Sequence, residues 1–269
     1  MQISLNTSEP DERVRWFDRP WAAFIFFTRL PLWRLYEPPR SAYRSVVEYW
    51  PLVGWLTGTL MAVVLYFSSY VMPYPVAILL AMVTRILLTG ALHEDGLADF
   101  IDGFGGGGRD RQRIMRIMKD SSIGTFGVLG LVFYVLLLFF TLFSMREAPL
   151  WAALTIMAAD AYAKMIAAQL IIMLPYARTE EESKAHNVYR PISVKAGIGL
   201  ALQGMLPMGA YLYYMSEVVN WQYIIFIPCL VMYFLYMLIS RRLHGYTGDC
   251  CGAVFLLVEL SVYLTVIAA

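Results

Sequence analysis

Uninterrupted apolar runs about twenty residues long set the terms for this chain. Such a run suits an α-helix crossing a bilayer, where every backbone N–H and C=O must be bonded within its own segment. They occupy 51–72, 74–92, 123–144, 150–174, 196–215, 221–240 and 251–268, and predict an all-α, polytopic membrane protein with seven transmembrane helices. Only 15% of the 269 residues are charged and 59% are apolar, with mean hydropathy +0.58; soluble domains carry roughly 25% charged residues. The segment 21–33 is apolar and aromatic but short, and Arg29 interrupts it, so it reads as interfacial or re-entrant.

Lys and Arg accumulate on the cytoplasmic side of membrane proteins and so test the topology independently of hydropathy. The first fifty residues carry seven Arg, and further clusters lie at Arg109 to Lys119, Arg178 to Lys195, and Arg241 and Arg242. The intervening loops hold only Arg146. Seven spans then place the N-terminus and the inserts 1–49, 93–122, 175–195 and 241–250 in the cytoplasm, and the C-terminus outside. The whole of 1–269 reads as a single membrane-embedded domain. Glu9, Asp11 and Glu12, with no apolar core before Trp21, argue against a cleavable signal peptide. The net charge of +1 carries no nucleic-acid footprint. Cys229, Cys250 and Cys251 lack metal-site spacing and read as small apolar fillers.

The polar residues collect at one rim, as expected of an enzyme with a water-soluble substrate; a transporter places its special residues near the midplane. The densest insert follows the second span. His93-Glu94-Asp95-Gly96-Leu97-Ala98-Asp99-Phe100-Ile101-Asp102-Gly103 spaces three aspartates at i, i+4 and i+7. On a helix these offsets return the side chains to within about 40° of the first. Carboxylates held this close repel, and a cation such as Mg²⁺ bridging their oxygens would offset the repulsion. Asp95, Asp99 and Asp102, joined by Asp120, are therefore candidate metal ligands, with Asp102 or Asp120, and then His93, as candidate general base.

Five glycines among residues 103–108 predict a break in this helix, with Gly103 in a loop whose N–H groups wrap phosphate oxygens. Residues 109–119 have a helical period, basic on one side and apolar at Ile114, Met115, Ile117 and Met118, and predict an amphipathic helix at the headgroups. Arg109, Lys119 and Ser121 are candidate substrate contacts on this insert. Near the last span, Gly245-Tyr246-Thr247-Gly248-Asp249 suggests close backbone approach to a ligand or helix, with helix capping by Thr247 or Asp249 as the plainer reading. Charges inside spans are costly unless paired or wetted. Asp160 and Lys164, four apart, predict an ion pair or a cavity lining; Arg85 either snorkels to the rim or meets a buried acid, and Glu259 has no local partner.

Three blocks, 93–103, Ile117-Met118-Lys119-Asp120-Ser121 with Ile123-Gly124-Thr125-Phe126-Gly127, and Thr247-Gly248-Asp249 with Gly252-Ala253, resemble the cobalamin synthases, the adenosylcobinamide-GDP ribazoletransferases. Phe27-Thr28-Arg29-Leu30-Pro31 and Pro51-Leu52-Val53-Gly54 also look like that family. The resemblance implies a multi-pass inner-membrane transferase of bacteria or archaea, using Mg²⁺ at its cytoplasmic face. Adenosylcobinamide-GDP and α-ribazole, or its 5′-phosphate, would be joined with release of GMP, with other enzymes of nucleotide-loop assembly as candidate partners. It also adds Arg178 and Asn187, in segments similar to the family's, to the Thr247 and Asp249 candidates for substrate binding. A CDP-alcohol phosphotransferase is the nearest alternative, but its Asp-Gly-x-x-Ala-Arg pattern is not met by Asp95-Gly96-Leu97-Ala98-Asp99, where an acid stands in place of the expected Ala-Arg end. A corrinoid or other membrane transporter is the alternative of another class.

Overall fold

The computed structural model describes residues 14–177 and 192–268. Among these the chain is helical throughout, save one isolated parallel bridge between Tyr176 and Tyr246. A short helix, α1 (Asp18–Phe27), is followed by two 3₁₀ stretches, Leu32–Arg34 and Arg40–Tyr49; then come α2 (Trp50–Ser68), α3 (Tyr74–Thr89), α4 (Leu92–Gly106), α5 (Arg111–Lys119) and α6 (Thr125–Ser144). The remainder is α7 (Pro149–Met173), α8 (Val194–Tyr214), α9 (Trp221–Leu243) and α10 (Gly248–Ala268). Local chemistry sets several boundaries. Proline occupies the first turn of α2, α3 and α7, where its missing N–H costs nothing. Asp110, Ser193 and Asn220 cap α5, α8 and α9 with side-chain oxygens.

The span count of seven is not reproduced. Among the described residues five helices are long and apolar enough to cross a membrane, counting the 3₁₀ stretch with α2, and the bent pair α3 and α4 makes a sixth if it is one span. The polytopic helical architecture stands. The ten-residue α1 is about 15 Å long, too short to cross, in keeping with an interfacial N-terminal segment. Helix α10 forms the centre, with 83% of its most apolar window buried, against 28% for α6 and α9, whose flanks are left for lipid.

The charges inside the bundle are paired. Arg85 on α3 donates from Nη1 to both oxygens of Glu259 on α10 at 2.6 Å and from Nη2 to the Tyr134 hydroxyl of α6 at 2.9 Å. Tyr263 donates to Glu259 as well, at 2.9 Å. Arg85 thus meets a buried acid, and Glu259 finds its partner 174 residues away. Lys164 pairs with Asp160, as their spacing predicted, and both reach Thr57 of α2. There the helices are close: a Cβ on Gly54 would stand 2.8 Å from the Ala161 Cα. All four charged side chains are buried.

Three details of the densest insert differ from expectation. The helix does not run straight out of the second span. It breaks at Gly90 and Ala91, both left-handed with φ of 66° and 58°, and α4 leaves at 89° to α3. Helix α4 runs on through the first of the glycines and ends within them, at Gly106, with Gly108 left-handed at φ of 62°. Gly103 and Gly107 are buried under Met118 and Ile114, and Gly105 meets Phe126, so these glycines admit side chains of α5 and α6 instead of wrapping phosphate. Finally, α5 does not offer its apolar face to headgroups: Ile114 and Met118 are fully buried in this contact with α4.

Candidate active site

The site is built on α4, which carries the aspartates, and on the start of α10. Gly96 separates Asp95 from Asp99 in register so that its own face meets α10: a Cβ there would lie 3.1 Å from the Asp249 Cα and 3.2 Å from its carbonyl oxygen. One turn on, Gly252 approaches the His93 backbone. The close crossing brings Asp249 beside the aspartate-bearing turn. Asp95 is exposed, Asp99 and Asp249 are half-buried. Thr247 is wholly buried and its hydroxyl accepts from the Cys250 N–H at 3.3 Å, so it caps α10.

Asp102 behaves differently from the other two aspartates. It is only 7% exposed, and its carboxylate accepts from the N–H of Gly124 at 2.6 Å and of Gly127 at 2.8 Å, at the start of α6. These two bonds hold the carboxylate, expected as metal ligand and base, against the first turn of α6. Asp120 is exposed at the end of α5, and its Oδ1 accepts from the backbone N–H and the hydroxyl of Ser122, at 2.9 and 2.7 Å. The Ser122 hydroxyl, and after it the backbone N–H, hold the Asp120 carboxyl below its ordinary range. Asp102 and Asp120 line one open cavity of about 380 Å³ with Gly106, Ser122, Gly124 and Thr125.

Arg109, Lys119 and Ser121 are exposed around this insert. Arg111 and Arg242, which sequence reasoning did not single out, tie the rim together: Arg111 donates to the carbonyls of Leu243 and Ala177, and Arg242 to that of Phe104. Arg178 and Asn187 lie outside the described residues. His93 is not gathered with the aspartates. Its ring is buried in an aromatic stack, 5.8 Å from Trp50 and 6.4 Å from Phe27, with Phe255 edge-on at 4.8 Å.

A family model described as Cobalamin-5-phosphate synthase matches residues 19–267, nearly the whole chain. The chain belongs to the cobalamin-5-phosphate synthase family. Relatives named adenosylcobinamide-GDP ribazoletransferase include one from Leptospira interrogans, 31% identical over 92% of this chain and 94% of its own length. Another from Vibrio parahaemolyticus is 35% identical over 91% of this chain and 90% of its own. A third, from Ralstonia nicotianae, is 35% identical over 92% and 94%. No solved structure gives a significant match.

Whether this member of the family could hold magnesium depends on its donors. Among the described residues no three His, Cys, Asp or Glu side chains converge on a point that could hold a metal ion. Magnesium, though, usually retains several waters and takes one or two carboxylates together with substrate phosphates. Asp95 and Asp99, hard oxygen donors one turn apart near the rim, fit that requirement; Asp102, committed to two backbone N–H groups, fits it poorly. Nothing in the spacing of Asp95, Asp99 and Asp102 separates the third from the others. The available signal was glycine at 124 and 127, which lets a carboxylate reach the backbone at a helix start.

Proposed function

We propose that this chain is an adenosylcobinamide-GDP ribazoletransferase acting at the cytoplasmic face of a prokaryotic cell membrane. A ribose hydroxyl of α-ribazole, or of its 5′-phosphate, attacks the phosphorus joined to the cobinamide side. The bond from that phosphorus to the oxygen of GMP breaks, and adenosylcobalamin, or its 5′-phosphate, is formed. The observation that carries this reading is the Asp95 and Asp99 pair beside the α10 start, in a chain of this family.

Asp95 and Asp99 would hold the magnesium in this reading. When bound, the ion neutralises the diphosphate and the charge gathering on the departing GMP. Arg109 and Lys119 supply further positive charge at the rim. Asp120 Oδ2 carries no hydrogen bond among the described residues, which supports Asp120 as the carboxylate that takes the hydroxyl proton and passes it to water. Buried His93 is poorly placed for that step. Positioning and electrostatics then provide most of the rate.

The test is GMP release by purified protein in detergent or lipid, given adenosylcobinamide-GDP and α-ribazole, with and without Mg²⁺, beside Asp99→Ala. Mg²⁺-dependent GMP with adenosylcobalamin, lost in the variant, is the expected result. Folded protein that releases no GMP would overturn the assignment.

A further inference from the structure

The first turn of an α-helix leaves N–H groups with no partner in the helix itself. At α6 two of these are taken by one carboxylate from another helix, Asp102 of α4, lying 22 and 25 residues earlier in the chain. The distances of 2.6 and 2.8 Å suit charge-assisted bonds, and a carboxylate is further favoured at the positive end of a helix. Glycine at both receiving positions is what permits the approach, because a Cβ on either Gly124 or Gly127 would overlap the Asp102 oxygens. Gly124 also closes the short loop that starts at Asp120, and this loop and Asp102 share the walls of one cavity.

We infer that Asp102 is a positioning residue: it clamps the start of α6 to α4, sets the 120–125 loop and thereby Asp120 in the cavity, and is not a metal ligand. The acidic face of α4 is accordingly divided between a pair that meets solvent and a third carboxylate that holds the fold of the site. The activity part of this inference rests on the ribazoletransferase reading, and the structural part does not.

Hydrogen exchange in the parent protein tests the clamp directly. The amides of Gly124 and Gly127 should be protected, although first-turn amides of a helix are ordinarily open; exchange at the rate of an open loop would overturn the inference. In Asp102→Asn one carboxylate oxygen becomes an NH₂ donor facing an N–H, so protection at these amides should fall. Its kcat should drop by about 10²-fold through misplacement of the site. Half-saturating Mg²⁺ should stay unchanged, whereas loss of a ligand or of a ligand's supporting partner shifts metal affinity about 10- to 100-fold or more. Gly127→Ala keeps every carboxylate and should reproduce the pattern of lost protection, lower kcat and unaltered Mg²⁺ dependence. A shifted Mg²⁺ dependence in Asp102→Asn, or normal kcat in Gly127→Ala, would make Asp102 something other than a clamp. Should the parent release no GMP, the ribazoletransferase reading fails while the exchange data still decide the clamp.

Discussion

Each aspartate of the insert answers to different neighbours. Ser122 holds the exposed Asp120 carboxyl below its ordinary range, because its hydroxyl bonds the ionised form to fullest advantage. Removing that bond raises the carboxyl's pKa toward the ordinary value, so in Ser122→Ala the acid limb of the kcat/KM profile should move to higher pH. An unchanged limb would take Asp120 out of the proton transfer. For Asp99→Ala we expect a fall in kcat on the order of 10²–10³-fold with the protein still inserted, the loss being one of charge stabilisation and not of packing. The sequence made the common face of Asp95, Asp99 and Asp102 legible because helical period is local. It did not reveal that Asp102 turns to the backbone, because the partners that decide this are on another helix. The same holds for Thr247: capping and ligand contact use the same hydroxyl, and only the placement of the Cys250 N–H favours the former.

Between elements, glycine does its work at crossings. Gly96→Val would drive a branched side chain into the Asp249 backbone, and overpacking of this kind costs about 1–3 kcal/mol. The variant should melt at lower temperature in detergent and lose turnover with all its carboxylates intact; parent-like melting and activity would show that α4 and α10 need not lie so close. The glycines of 103–107 were expected to break a helix because glycine is a poor helix former. In the structure their cost is offset by packing, as Met118, Ile114 and Phe126 occupy the space that a Cβ would fill. Helix α4 does end among them, at Gly106, but a further break falls at Gly90 and Ala91, and an alanine with φ of 58° has no signature in sequence. Apolar period located α5, but its docking surface was set by those glycines and not by lipid.

Across the whole molecule, the Arg85–Glu259 ion pair joins helices far apart in sequence. Removing one partner strands a buried charge, at about 3–5 kcal/mol, so Arg85→Ala and Glu259→Ala should each unfold far more readily in detergent than the parent. Arg85→Met combined with Glu259→Leu should recover most of the loss; equal losses in single and double variants would mean the charges are not coupled. The polytopic helical class was readable from composition and length, though not the number of spans, whereas the pairing of Arg85 with Glu259 depends on bringing α3 against α10. This pairing also bears on how the protein experiences an energised membrane. A lone charge moved across 100 mV exchanges about 2.3 kcal/mol with the field. Opposite charges held 2.6 Å apart present only a short dipole, which over a hydrocarbon core of about 30 Å amounts to roughly 0.2 kcal/mol. Turnover in sealed vesicles should therefore run at the same rate whether or not a potential is imposed, and a rate that follows the imposed voltage would show that these charges separate during the cycle.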